Sequence, residues 1–108
     1  MAYVDGFIVA VPKKKLAGKV WREHGATSYT ECIADDVPMG KITSFPRSVK
    51  QKPDETVIFS WITYASRAQR DRINKKVMAD PRLKRDMKTM PFDGKRMIYG
   101  GFKVLVES

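Results

Sequence analysis

Apolar residues recur along this chain with two different periods, and the switches between them mark out its elements. Tyr3 to Val11 is dense in β-branched and aromatic residues, shows no helical period and stops at Pro12, so it reads as a strand. Lys13 to His24 carries apolar side chains at Leu16/Ala17 and Val20/Trp21, three and four apart, and closes on Gly25, which predicts a short amphipathic helix with a left-handed cap. Ala26 to Ala34 reads as a second strand ending at Asp35-Asp36. Thr56 to Tyr64 is apolar at successive positions and reads as a strand buried on both faces, central in its sheet. Ser66-Arg-Ala-Gln69 has capping-box spacing and opens a helix with Ile73, Val77 and Met78 as its inner stripe. Asp80-Pro81 ends that helix and can start a short one with Leu83 and Met87 inward, and a last strand is expected from Arg96 to Val106.

The order strand, helix, strand, strand, helix, strand predicts an α+β, ferredoxin-like βαββαβ domain spanning residues 1–108, with one four-stranded antiparallel sheet and two helices on one face. The strands are apolar on both sides: Val57, Phe59 and Trp61 oppose Ile58 and Ile62, and Ile98 and Phe102 oppose Met97 and Tyr99. Two helices cover only one of those faces, so a second copy is expected to cover the other, sheet against sheet, as a homodimer. The connection 35–54 is too long for a hairpin turn; Lys41 to Phe45 is a candidate short strand, and Phe45-Pro46 a candidate flap over the sheet rim.

Composition narrows the class. At 108 residues with 43% hydrophobic and 31% charged side chains the chain fits one folded domain. The longest apolar run, Phe7 to Val11, is far too short to span a bilayer, and no signal-peptide pattern opens the chain, so a cytoplasmic protein without a membrane partner is expected. A single cysteine excludes an internal disulfide and leaves no zinc ligand set. Net charge is +9, and residues 66–88 hold nine Lys/Arg against three Asp, which reads as a solvated helix face or an attractor of anions.

The candidate chemistry is sparse. His24, the only histidine, is the one candidate for an acid–base or haem-ligating role, against a plain reading as a helix C-terminal residue favoured by the macrodipole. Cys32 reads as a buried structural thiol, and Asp35-Asp36 as a solvated turn lacking the spacing of a hard-metal loop, so no metal and no cofactor are predicted. Asp93-Gly94-Lys95-Arg96 combines a turn former with two cations that could hold a carboxylate or phosphate, against a reading in which Asp93 pairs with a neighbouring arginine. Trp61 and Tyr99 are apolar wall candidates, against a reading as core or interface. Gly100-Gly101 within the last strand predicts a bulge or a close approach by another backbone or a ligand.

His24-Gly25, Glu31-Cys32, Asp35-Asp36-Val37, Lys41-Ile-Thr-Ser-Phe-Pro46, Asp54 to Trp61, Val77-Met-Ala-Asp-Pro81 and above all Met90-Pro-Phe-Asp-Gly-Lys-Arg-Met97 resemble the YbaA-like bacterial family of unknown function (DUF1428). The resemblance covers nearly the whole chain and implies a dimeric α/β-barrel; no activity comes with it. The chain departs from the family's pattern in its first helix, where about two turns are missing and Lys15 runs straight into Leu16-Ala17.

The leading functional expectation is a homodimeric module that binds or senses a small anionic or apolar molecule at the sheet face, with Trp61, Asp93, Lys95, Arg96 and Tyr99 around it and Arg47 as a further rim cation. The alternative, resting on fold analogy, is a cofactor-free or haem-handling oxygenase-like enzyme. Nucleic-acid binding ranks third: Tyr99-Gly-Gly-Phe-Lys-Val resembles an RNA-recognition strand but sits on the fourth strand, where that motif belongs on the third.

Overall fold

The structure, a computed structural model, describes residues 2–11, 22–82 and 95–107. Four strands, β1 (Tyr3–Val11), β2 (Ser28–Ile33), β3 (Thr56–Tyr64) and β4 (Ile98–Lys103), form one sheet in the order β2-β3-β1-β4 with every neighbouring pair antiparallel. Two helices accompany them among the described residues, α1 (Phe45–Ser48) and α2 (Arg67–Met78). The α+β class and the antiparallel four-stranded sheet are therefore as the apolar periods predict. The bulk of the expected first helix, the short helix after Pro81 and Asp93 lie outside the described residues.

Local signals explain most boundaries. Ser66 caps α2 by accepting from the Gln69 amide at 3.2 Å. Gly25 has φ +116°, and its amide bonds Arg22 O at 3.1 Å, the turn expected of a left-handed cap. Pairing of β2 continues one residue beyond each end through Thr27 N to Thr63 O and Ala34 N to Val57 O.

The connection before β3 differs from expectation. Lys41 to Phe45 adds no strand: Ser44 caps the one-turn helix α1 through the Arg47 amide at 3.1 Å, and Pro46, at its start, brings a preset helical φ. Pro46 and Val49 are buried and Phe45 meets Phe59 edge-on at 5.7 Å, so the flap over the rim does form. The last strand is shorter than the expected Arg96 to Val106, because β1 begins at Tyr3; beyond Lys103 one long bond remains, Val104 N to Ala2 O at 3.4 Å.

The two faces of the sheet are unequal. On one, Tyr3, Ile62 and Tyr64 pack with Ala26 against Ile73 and Val77 of α2, leaving Ile62 1% exposed. On the other, a small cluster of Ala10, Val57 and Val49 is closed by the α1 region. Among the described residues nothing else covers the rest of that second face.

Candidate functional site

Strand register decides which side chains share the open face. Thr30, Trp61, Gly6 and Gly100 stand opposite one another in a row across β2, β3, β1 and β4. One row away, Cys32, Phe59, Ile8 and Ile98 form a second line. Val4 and Phe102 pair on the other side of the glycines. Phe59, Ile98 and Phe102 are 40%, 43% and 61% exposed, so large apolar side chains meet solvent across the middle of the sheet. Edge-to-face contacts at 5.7 Å run from Phe45 to Phe59 and from Phe59 to Trp61, making a continuous aromatic wall.

The glycines divide into two kinds. A Cβ on Gly101 would lie 2.3 Å from the Tyr3 hydroxyl and 2.7 Å from the Arg70 guanidinium, so its own chain demands glycine there. A Cβ on Gly100 or Gly6 would meet only the Phe102 ring, at 3.5 and 3.7 Å, which is ordinary contact. Neither has a positive φ. The close approach expected at the Gly100-Gly101 pair is thus made at Gly101 by Tyr3 and Arg70 of the same chain. The facing pair Gly6 and Gly100 forms a floor with no side chains of its own, with the Phe102 ring lying against both positions and Trp61 beside Gly6.

The other site candidates are dispersed. Tyr99 pairs with Phe7 on the opposite, α2-covered side, where the two rings stack at 6.3 Å, so Tyr99 and Trp61 do not wall one pocket within a single chain. The same alternation separates Tyr99 from Phe102, three residues on, which denies an RNA-type stacking platform built from those two rings. Arg96 is engaged. Its guanidinium donates to both Glu55 carboxylate oxygens at 2.8 Å and to Lys50 O at 2.9 Å, tying the turn before β4 to the loop before β3. That bidentate bond, with the Lys52 amide, pushes the Glu55 pKa down to about 2. Arg47 is exposed, and its Nε donates to Met39 O and Gly40 O at 3.0 and 3.1 Å. Lys95 is exposed beside Arg96.

His24 belongs to a different cluster. Its Nε2 lies 3.0 Å from Asp80 Oδ2, and Asp80 also takes two bonds from the Arg82 guanidinium, at 3.1 and 2.8 Å. Arg82 and His24 together hold the Asp80 carboxyl well below the usual carboxylate range. Arg82 reaches Glu23 as well, so the cluster ties the residues before β2 to the segment after α2, on the far side of the sheet from Trp61. Together with Arg67 and Arg70 against Asp71, these pairs neutralise part of the basic stretch. Cys32 is exposed, contrary to the expected buried thiol, because β2 is an edge strand and Cys32 sits on its open face beside Phe59. Among the described residues no three His, Cys, Asp or Glu side chains gather as a metal site, and no helix is long and apolar enough to cross a membrane.

A buried polar network escaped the sequence reading. Asp5, 5% exposed, accepts from the Tyr64 hydroxyl at 3.1 Å, while Arg70, with its Nε 3.7 Å from Asp5, donates to the Tyr3 hydroxyl at 2.9 Å and lies over that ring. Its one legible signal is an acid inside the apolar run Tyr3 to Val11. Closed beneath α2, the network fixes helix to sheet. At the edge of the same side, Tyr29 has its pKa raised by burial and by neighbouring Glu31.

Comparison with known proteins places this geometry in a family. The profile described as "Protein of unknown function (DUF1428)" matches residues 2–94. The proteins named "Uncharacterized protein YbaA" from Escherichia coli K12, Escherichia coli O157:H7 and Shigella flexneri are each 49% identical to this chain over 116 aligned positions, covering 99% of it and 99% of the relative. The chain belongs to the DUF1428 family. An alignment of 116 positions on a chain of 108 residues means that the relatives carry at least eight residues with no counterpart here, in keeping with a shortened segment.

Proposed function

We infer that this protein works as a homodimer whose two open sheet faces meet and enclose a site for a small molecule, binding or sensing it rather than processing nucleic acid. The observation that carries the reading is the row Trp61, Gly6, Gly100 on the uncovered face. Among the described residues a Cβ at 6 or 100 would meet only the Phe102 ring, at ordinary contact distance, so no clash there requires glycine, and the pair supports a reading in which this patch receives something from outside the chain. Exposed Phe59, Ile98 and Phe102 supply the apolar surface that such a body buries. The walls offered are aromatic and aliphatic, while the Arg96 guanidinium is held by Glu55 and Lys50 O, so the site favours an apolar ligand over a simple anion. A ferredoxin-like pairing of two such sheets is the arrangement that brings both floors together around one cavity.

Native mass spectrometry of freshly purified protein, with an absorption spectrum of the same sample, tests this directly. A dimer carrying a small extra mass, lost in Gly100→Val, is the expected result. A monomer without adduct overturns the reading, and a Soret band turns it towards haem handling.

A further inference from the structure

We propose that residues 39–44 form a finger with which each copy of this chain grips a second copy, and that Ile42 is its apolar tip. The inference rests on the face-to-face pairing above and adds a contact that the sheets alone do not supply.

The finger is built. Gly40 turns the chain at φ +64°, and the Thr43 carbonyl lies 2.5 Å from where a Cβ on Gly40 would stand, so only glycine fits. Arg47 Nε bridges the carbonyls of Met39 and Gly40, the Ser44 hydroxyl accepts from the Arg47 amide, and the same hydroxyl approaches Met39 Sδ at 4.0 Å. One guanidinium and one hydroxyl thus fasten both ends of a turn whose product is an isoleucine 97% exposed.

A lone exposed isoleucine needs no explanation. This one is continuous with the open face. Phe45 follows Ser44 directly and rests on Phe59, so the finger rises from the rim of the uncovered sheet on the uncovered side, with Met39 also exposed beside it.

Area, weighed against what a stable dimer needs, together with two-fold symmetry makes a second copy the proposed occupant of the open face. Four strands at the usual spacing and rise give a face about 19 Å wide and about 25 Å long, a footprint on the order of 500 Å². A standard stable interface takes roughly 800 Å² from each partner. Two fingers, one from each copy as a two-fold axis requires, extend the contact towards that size and close the ends of the space between the sheets.

The test is sedimentation equilibrium of the full chain as wild type, Ile42→Asp and Phe102→Asp, with circular dichroism to confirm that each is folded. Ile42→Asp is expected to weaken dimerisation roughly tenfold or more, since a carboxylate cannot be buried where the isoleucine was. A dimer lost in Phe102→Asp but unchanged in Ile42→Asp overturns the finger and leaves the sheet pairing standing. A wild-type chain monomeric at every concentration overturns both.

Discussion

The two faces of this sheet are made from the same strands and similar apolar residues, yet among the described residues one is closed over and the other is not. Beneath α2, Tyr3, Ile62 and Tyr64 are closed by Ile73 and Val77, Asp5 accepts from the Tyr64 hydroxyl, and the Arg70 guanidinium donates to the Tyr3 hydroxyl while its Nε, 3.7 Å from Asp5, makes no hydrogen bond. On the other face, among the described residues, only the corner at Ala10, Val57 and Val49 is closed, and Phe59 and Phe102 beyond it are exposed. Burial of similar side chains thus depends on what the topology lays over them. The face closed by α2 carries stability; the open one is the face on which we propose recognition.

The sharpest way to break that contrast is a pair of truncations. Ile62→Ala under α2 is expected to lose about 2–5 kcal/mol of unfolding free energy, through lost burial and a residual cavity. Phe102→Ala on the open face should stay within about 0.5 kcal/mol for the dissociated chain while weakening its pairing. Urea titrations at concentrations below dimerisation check both, and equal losses would mean that the faces do not differ.

Tyr64→Phe probes the polar part of the finished face. It removes a donor to buried Asp5 and should destabilise by about 1–3 kcal/mol in the same titration. The two adjacent glycines sharpen the comparison further. Gly101→Ala forces Tyr3 and Arg70 aside and should destabilise by about 1–3 kcal/mol, whereas Gly100→Ala, one residue away but on the open side, should stay within about 0.5 kcal/mol. Similar values for the two would remove the argument that Gly100 is kept for something outside the chain.

The smallest effect concerns the loop tether. Arg96 lowers the Glu55 pKa from 4.5 to about 2, so the stabilisation is fully present above about pH 4.5 and is lost as the pH falls towards 2. Glu55→Gln should flatten that part of the acid-unfolding profile, and the two proteins should converge below it. Parallel profiles would show that the pair contributes nothing.

The strands β1 and β3, the cap of α2, the left-handed turn at Gly25 and the flap at Phe45-Pro46 were all legible in the sequence. Each rests on interactions within a few residues or on a period along one segment. The exposed second face was legible too, since two helices cannot cover two faces. The candidate site was legible only in part. Trp61 stands on that face, but Tyr99 stands on the other, a distinction that depends on pairing between strands far apart in sequence. Arg96 reads as a free cation until Glu55, 41 residues earlier, is brought to it. Gly100 and Gly101 look alike in sequence and become different only when Tyr3 and Arg70 arrive over one of them. Periodicity and capping chemistry are local, so the sequence by itself determined the elements and the existence of an uncovered face. Register and long-range side-chain partners are not local, so only the tertiary structure decided which residues that face displays and that Arg96 is held by Glu55.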